Sequence, residues 1–227
     1  MIINEKSTLK TLKKYLFEYR YAFHKRSFEL FVLMIISIIA TQRIQSIKFI
    51  YEKFISKFWN KNLNSFYSFL GDKNHSIEEI IKITTRIAIS NIPLEDRKNI
   101  SLFLSIDDTL QPKFGQKFEN RYKLFDHAKH TGSNYMNGHC IVSIALTIPI
   151  KSSSKVNYIT LPIGYKIYDK SCTKLQLATN MISTVMPELT EFQVILLCDS
   201  WYTKKILLSL LKDYKNLNLR TTKILKL

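Results

Sequence analysis

Asp107 and Asp108, with Thr109 beside them, follow directly on the apolar run Ser101–Ile106 (SLFLSI), and Asp199 follows directly on Gln193–Cys198 (QVILLC). If those runs are neighbouring strands, their acids meet at one edge of a sheet. A carboxylate pair of that kind suits hydrolysis or transfer at a phosphodiester. Mg2+ prefers oxygen ligands, and two ions ~3.5–4 Å apart hold the attacking and leaving oxygens in line. An acid after a strand also makes turns and caps helices, and Asp199-Ser200 ahead of the apolar pattern from Lys204 would serve that purpose alone.

A second group of residues lies between the acids. Lys113, Lys117, Arg121, Lys123 and Lys129 are interleaved with Phe114, Phe118, Tyr122, Phe125 and Tyr135. That mixture suits a surface that binds phosphates and stacks bases, and equally a basic loop whose aromatics pack inward. His127, His130, His139 and Cys140 have the donor types of a zinc site, but their spacing fits no standard zinc pattern. Trp201 and Tyr202, just past Asp199, are placed either to stack on a base or to seat the next helix.

The elements that must position these residues are read from periodicity. From Ser7 to about Leu94 apolar residues recur every three or four positions, as in Leu12, Tyr15, Leu16, Tyr19 and again in Ile77, Ile80, Ile83, Ile87, so this section is helical. NHSIEE (residues 74–79) has the form of a cap followed by acids in a first turn, and Ile92-Pro93 ends that helix. Beyond residue 100 come three strand-like runs, Ser101–Ile106, His139–Ile150 and Tyr158–Tyr168. A helix from Lys174 to Met186 with Ser171 as its cap, a fourth strand at Gln193–Cys198 and a helix from Lys204 to Tyr214 complete the pattern. The order β-β-β-α-β-α predicts an α/β fold: a mixed sheet with helices on its faces, preceded by a helical region. Residues 111–138 are expected to form a long functional loop.

Composition sets limits on function. With 46% apolar residues the chain of 227 can bury a real core, and no repeat or low-complexity linker is present. The net charge of +16 favours an anionic partner, and residues 1–61 alone carry twelve Lys and Arg against Glu5, Glu18, Glu29 and Glu52. Lys10, Lys13, Lys14, Arg20, Lys25, Arg26 and Arg43 thus form a basic helical start suited to DNA phosphates. Three cysteines without a CxxC pair argue against a disulfide framework. The apolar run Leu30–Ala40 is about half the ~20 residues of a membrane span, so it is expected to be a core helix of a cytoplasmic protein.

Three separated blocks, SIDDTLQPKFG, FENRYKLFDHAKHTGSNYMNGHC and VILLCDSWY, resemble the catalytic domains of bacterial insertion-sequence DDE transposases. The resemblance implies an RNase H-like catalytic domain over residues 99–227, after a basic helical region over residues 1–98 that binds transposon ends. It implies Mg2+ (or Mn2+) on Asp108 and Asp199, with Asp107 as the other choice for the first acid. The implied activity is metal-dependent cleavage and strand transfer of DNA at transposon ends. DNA, both transposon end and target, is the implied partner, with a homodimer as a possible assembly and no membrane. Lys113, Lys117, Arg121, Lys123, Lys129 and His139 become candidate DNA contacts, with His139 opening the second strand. Such transposases carry a third acid, a Glu on a later helix. Glu191 lies before Asp199 and Asp213 too soon after it, so the expectation is a C-terminally truncated chain, short of a fifth strand, with impaired activity. The alternative is a non-catalytic DNA-binding remnant that inhibits an intact transposase. A haloacid-dehalogenase-type phosphatase is disfavoured, because its D-x-D-x-T spacing is not met by SIDDTL.

Overall fold

The computed structural model describes residues 5–41, 46–72, 74–115, 117–125, 134–152 and 155–222. Lys129, His127, His130 and Arg43 lie outside the described residues. The chain forms two compact units, Met1–Ile83 and Thr84–Leu227.

The first unit is helical, as the 3.6-residue periodicity predicts. It contains α1 (Glu5–Glu18), α2 (Lys25–Thr41), α3 (Ile47–Ile50), which continues through a π turn (Tyr51–Ile55) into α4 (Ser56–Phe58), then α5 (Leu63–Gly71) and the start of α6 (Ile77–Ser90). Polar caps fix the starts: Ser46 accepts from the Phe49 amide at 3.0 Å, and Asn62 accepts from the Asn64 amide at 2.9 Å. The apolar run of α2 turns Leu33 and Met34 into a core shared with Ile50, Ile55, Phe66 and Phe69. Among the described residues no helix is long and apolar enough to cross a membrane.

The second unit is built on a six-stranded mixed sheet: β1 (Ser101–Pro112), β2 (Tyr122–Phe125), β3 (Tyr135–Ser152), β4 (Lys155–Ile167), β5 (Gln193–Asp199) and β6 (Leu217–Thr222). β3 pairs antiparallel with β1, β2 and β4, whereas β5 runs parallel to β1 and β6 parallel to β5. The helices are the end of α6, α7 (Leu94–Arg97), α8 (Lys174–Val185) and α9 (Lys205–Asp213). Alternation separates the sheet's two faces. Leu102, Leu104 and Ile106 of β1, Val142, Ile144 and Leu146 of β3, and Val194 and Leu196 of β5 are at most 2% exposed. Ala178, Met181, Ile182 and Val185 of α8 and Leu207 of α9 are buried with them. Each such Val, Leu, Ile or Met side chain contributes about 1.5–3 kcal/mol of transfer free energy. The opposite face carries Phe103 edge-on to Tyr158 at 5.9 Å, and Thr147 hydrogen-bonded across the ladder to Thr160 at 2.9 Å.

The mixed sheet is the expected one, with four corrections. Segment 217–222 (LNLRTT) forms a fifth long-range strand, so the sheet does not end at β5. The expected loop 111–138 contains β2 and the ends of its neighbours, and β3 already begins at Tyr135, so His139 lies inside that strand. β1 runs to Pro112, which places Asp107 and Asp108 inside a strand rather than after it. Finally, α8 is capped by Thr173, whose hydroxyl accepts from the Gln176 amide at 3.1 Å; Ser171 instead donates to the Asp169 carboxylate at 2.6 Å.

Candidate active site where β5 leaves β1

The register places Ile106 opposite Cys198 in the last β1–β5 pair. β5 then leaves the sheet through a 3-10 turn (Ser200–Tyr202), while β1 continues alongside β3 as far as Pro112. The sheet is notched where β5 departs, and the register sets Asp107 and Asp108, the residues of β1 just past the last pair, and Asp199, the last residue of β5, beside that point. The pleat directs Asp107 and Asp199 toward the face of Phe103, and Asp108 toward the helix-covered face in line with Leu104 and Ile106. At the notch the register thus sets Asp107 and Asp199 on one face of the sheet and Asp108 on the other.

Each acid has a defined local role. Asp199 Oδ1 accepts from the Trp201 amide and the Ser200 hydroxyl, both at 3.0 Å, so the acid caps the 3-10 turn and not α9, the helix that the alternative cap reading assigned to it. Asp107 is exposed, and its Oδ1 accepts from the Asp108 amide at 2.8 Å. Asp108 is partly buried and fully engaged. Its Oδ2 accepts from Lys174 Nζ at 2.8 Å and from Cys140 Sγ at 3.4 Å, and its Oδ1 accepts from the Tyr202 hydroxyl at 2.8 Å. Lys174 is the first residue of α8, and its Nζ also stands 4.8 Å from the centre of the Trp201 ring.

These contacts set the charges. Burial pushes the Asp108 carboxyl up, but hydrogen bonds from Lys174 and Tyr202 and the Lys174 charge outweigh it and hold Asp108 below the ordinary carboxylate value. Burial and the charge of Asp108 raise the Cys140 thiol to about 12 and drive the Tyr202 phenol upward too. Both therefore stay protonated and donate to an ionised Asp108. Neither Lys174 nor Tyr202 was identified from sequence as a partner of the acid. The available signal was a lysine at the positive end of a helix, an unfavourable position without a nearby anion.

The donor set can be tested against a hard divalent ion. All three acids offer oxygen, as Mg2+ or Mn2+ requires. Among the described residues no three His, Cys, Asp or Glu side chains converge tightly enough to hold an ion by themselves. Mg2+ is commonly bound by one or two carboxylates, with waters and substrate phosphates completing its shell, and the notch fits that pattern.

The candidate DNA contacts gather around the β1–β3 end. A Cβ on Gly138 would lie 2.2 Å from the Gln111 carbonyl oxygen, so glycine permits the close approach of β1 and β3 there. His139 Nε2 is 2.8 Å from the Glu119 carbonyl oxygen, and its ring stands edge-on to Phe118. Lys113 Nζ lies 5.7 Å from the Phe118 ring centre, and the Lys113 carbonyl accepts from Arg121 Nε at 3.1 Å. Lys123 lies over Tyr135, and Lys117 is exposed. His139 points away from Cys140 by the pleat, which separates those two members of the zinc grouping.

No family model matches this chain, and no curated protein matches it in sequence. Among solved structures it is similar to two Mos1 transposase complexes. One is a strand transfer complex (14% identity, 86% of this chain and 58% of that chain, TM-score 0.24). The other is a paired-end complex with the left transposon end (14% identity, 86% and 59%, TM-score 0.23). This chain spans under two thirds of the length of either. At that level of overlap the functional reading rests on the notch itself.

Proposed function

We infer that the chain is a DNA-acting protein of the DDE transposase kind, performing metal-dependent phosphodiester cleavage and strand transfer at the notch between β1 and β5. What supports this reading is the register that sets Asp107, Asp108 and Asp199 beside the point where β5 leaves the sheet. The first acids lie on the first strand and the second at the end of the fourth long strand, as the resemblance implies. Asp108 and Asp199 would hold the ion, with Asp107 beside them. A bound divalent ion would polarise the scissile phosphate and lower the pKa of an attacking water or 3′-hydroxyl.

The protein's own residues do the rest. Asp199 fixes the 3-10 turn through the Trp201 amide, and that turn delivers the Tyr202 hydroxyl to Asp108, so the two acids are held by one continuous set of contacts. Lys113, Lys117, Arg121, Lys123 and His139, with Lys129, would track the DNA backbone, and the basic first unit would bind the transposon end. Incubation of supercoiled plasmid with the protein and Mg2+ or Mn2+ should give nicked circles. Asp108→Asn and Asp199→Asn should each reduce nicking at least ~100-fold, the scale expected when a metal ligand is removed. DNA binding with no metal-dependent nicking by the unaltered protein would overturn this reading in favour of a non-catalytic DNA-binding protein.

A further inference from the structure

Asp108 already has a cation. Lys174 Nζ lies 2.8 Å from Oδ2, and the opposite oxygen is taken by Tyr202. A divalent ion ligated by Oδ2 at about 2.1 Å would stand about 3.5–4.5 Å from that ammonium, and two cations at that separation in a partly buried site repel each other. Withdrawal of the ammonium would relieve that repulsion. Lys174 has both a reason and a route. It sits in the first turn of α8, where the helix dipole disfavours positive charge, so the carboxylate is its main anchor. Its Nζ already lies 4.8 Å from the centre of the Trp201 ring, which is 41% exposed and offers a cation–π surface leading to solvent. The Lys174 side chain itself is 26% exposed, so no sealed core has to open.

We propose that the Lys174 ammonium is a resident counter-cation of Asp108 that a divalent ion displaces, the released side chain swinging past Trp201 toward solvent. This rests on the metal-dependent reading above and extends it: Lys174 is a positioning residue that holds Asp108 ionised and aimed before the ion arrives, and sets how tightly the ion binds. The lysine's charge also becomes available at the notch when the ion enters, where a DNA phosphate would meet it.

The test uses the full chain with Mn2+ as probe. Free Mn2+ is followed by electron paramagnetic resonance, and Lys174 acylation by an amine-reactive ester is followed by mass spectrometry with and without Mn2+. Displacement predicts that Mn2+ raises Lys174 acylation severalfold while exposed lysines such as Lys205 and Lys212 are unchanged. It also predicts that Lys174→Met binds Mn2+ at least tenfold more tightly. Should Lys174→Met fold poorly, the acylation assay on the unaltered chain decides alone. Mn2+ binding that is lost in Asp199→Asn but leaves Lys174 acylation unchanged would overturn the displacement while sparing the metal site. Failure of the unaltered chain and of Lys174→Met to bind Mn2+ would overturn both.

Discussion

Along β1, alternate residues meet opposite environments. Leu102, Leu104 and Ile106 face the helices and are at most 2% exposed, and the next residue in that row is Asp108. Phe103, Ser105, Asp107 and Thr109 form the other row, which grows more exposed toward the notch. The two adjacent acids are therefore chemically different. Asp108 continues a core row, and its charge is tolerated because Lys174, Tyr202 and Cys140 satisfy it. Asp107 continues a solvated row and requires no such partners. The strand's pleat decides which carboxylate is held by side chains from other elements and which faces solvent.

This contrast can be challenged by substitution, beginning with the largest effect. Leu104→Ala should destabilise the protein by about 2–5 kcal/mol in urea denaturation, whereas Ser105→Ala on the other row should stay within about 0.5 kcal/mol. Comparable losses at both positions would mean that the rows are not distinct. Asp108→Asn should cost about 1–3 kcal/mol, because it leaves a partly buried ammonium without its charge partner, while Asp107→Asn stays within about 0.5 kcal/mol. The Asp108 contribution has a pH signature. Its folded carboxyl lies below the ordinary value, so the stabilisation is complete above the unfolded pKa of about 3.9 and is lost as pH falls through the folded value. The stability gap between the unaltered protein and Asp108→Asn should close accordingly in acid. The smallest effect concerns the element that presents Lys174. Thr173→Ala removes the cap of α8 and should cost about 1 kcal/mol by thermal unfolding; a change near zero would show that α8 is held by its buried face alone.

Much of this arrangement was legible in the residues. The strong alternation of SLFLSI and QVILLC placed β1 and β5, and the acids that follow them marked the notch. The helical first unit was evident from apolar spacing. β6 was not, because Asn218 and Arg220 alternate with only two apolar residues, Leu217 and Leu219, and a six-residue strand at a sheet edge has little pattern to show. β2 is shorter still, at four residues. β1 was cut short because two adjacent acids look like a strand's end, yet Asp108 continues the strand with partners supplied from elsewhere. Those partners, 66 and 94 residues away in sequence, are brought to it by α8 and by the turn after β5, and no local spacing encodes such a meeting.

The ladder between β3 and β4 joins segments separated by only residues 153–154, whereas the β1–β5 pairing begins with Ser101 against Gln193. Closing a chain over about 90 residues rather than two costs about 3 kcal/mol more in entropy, so the hairpin should assemble early and the parallel junction late. The notch is a property of that late junction. A folding chain would hold its sheet's antiparallel half before Asp199 was brought to the same end of the sheet as Asp108, and its candidate site would be complete only as its final strands docked.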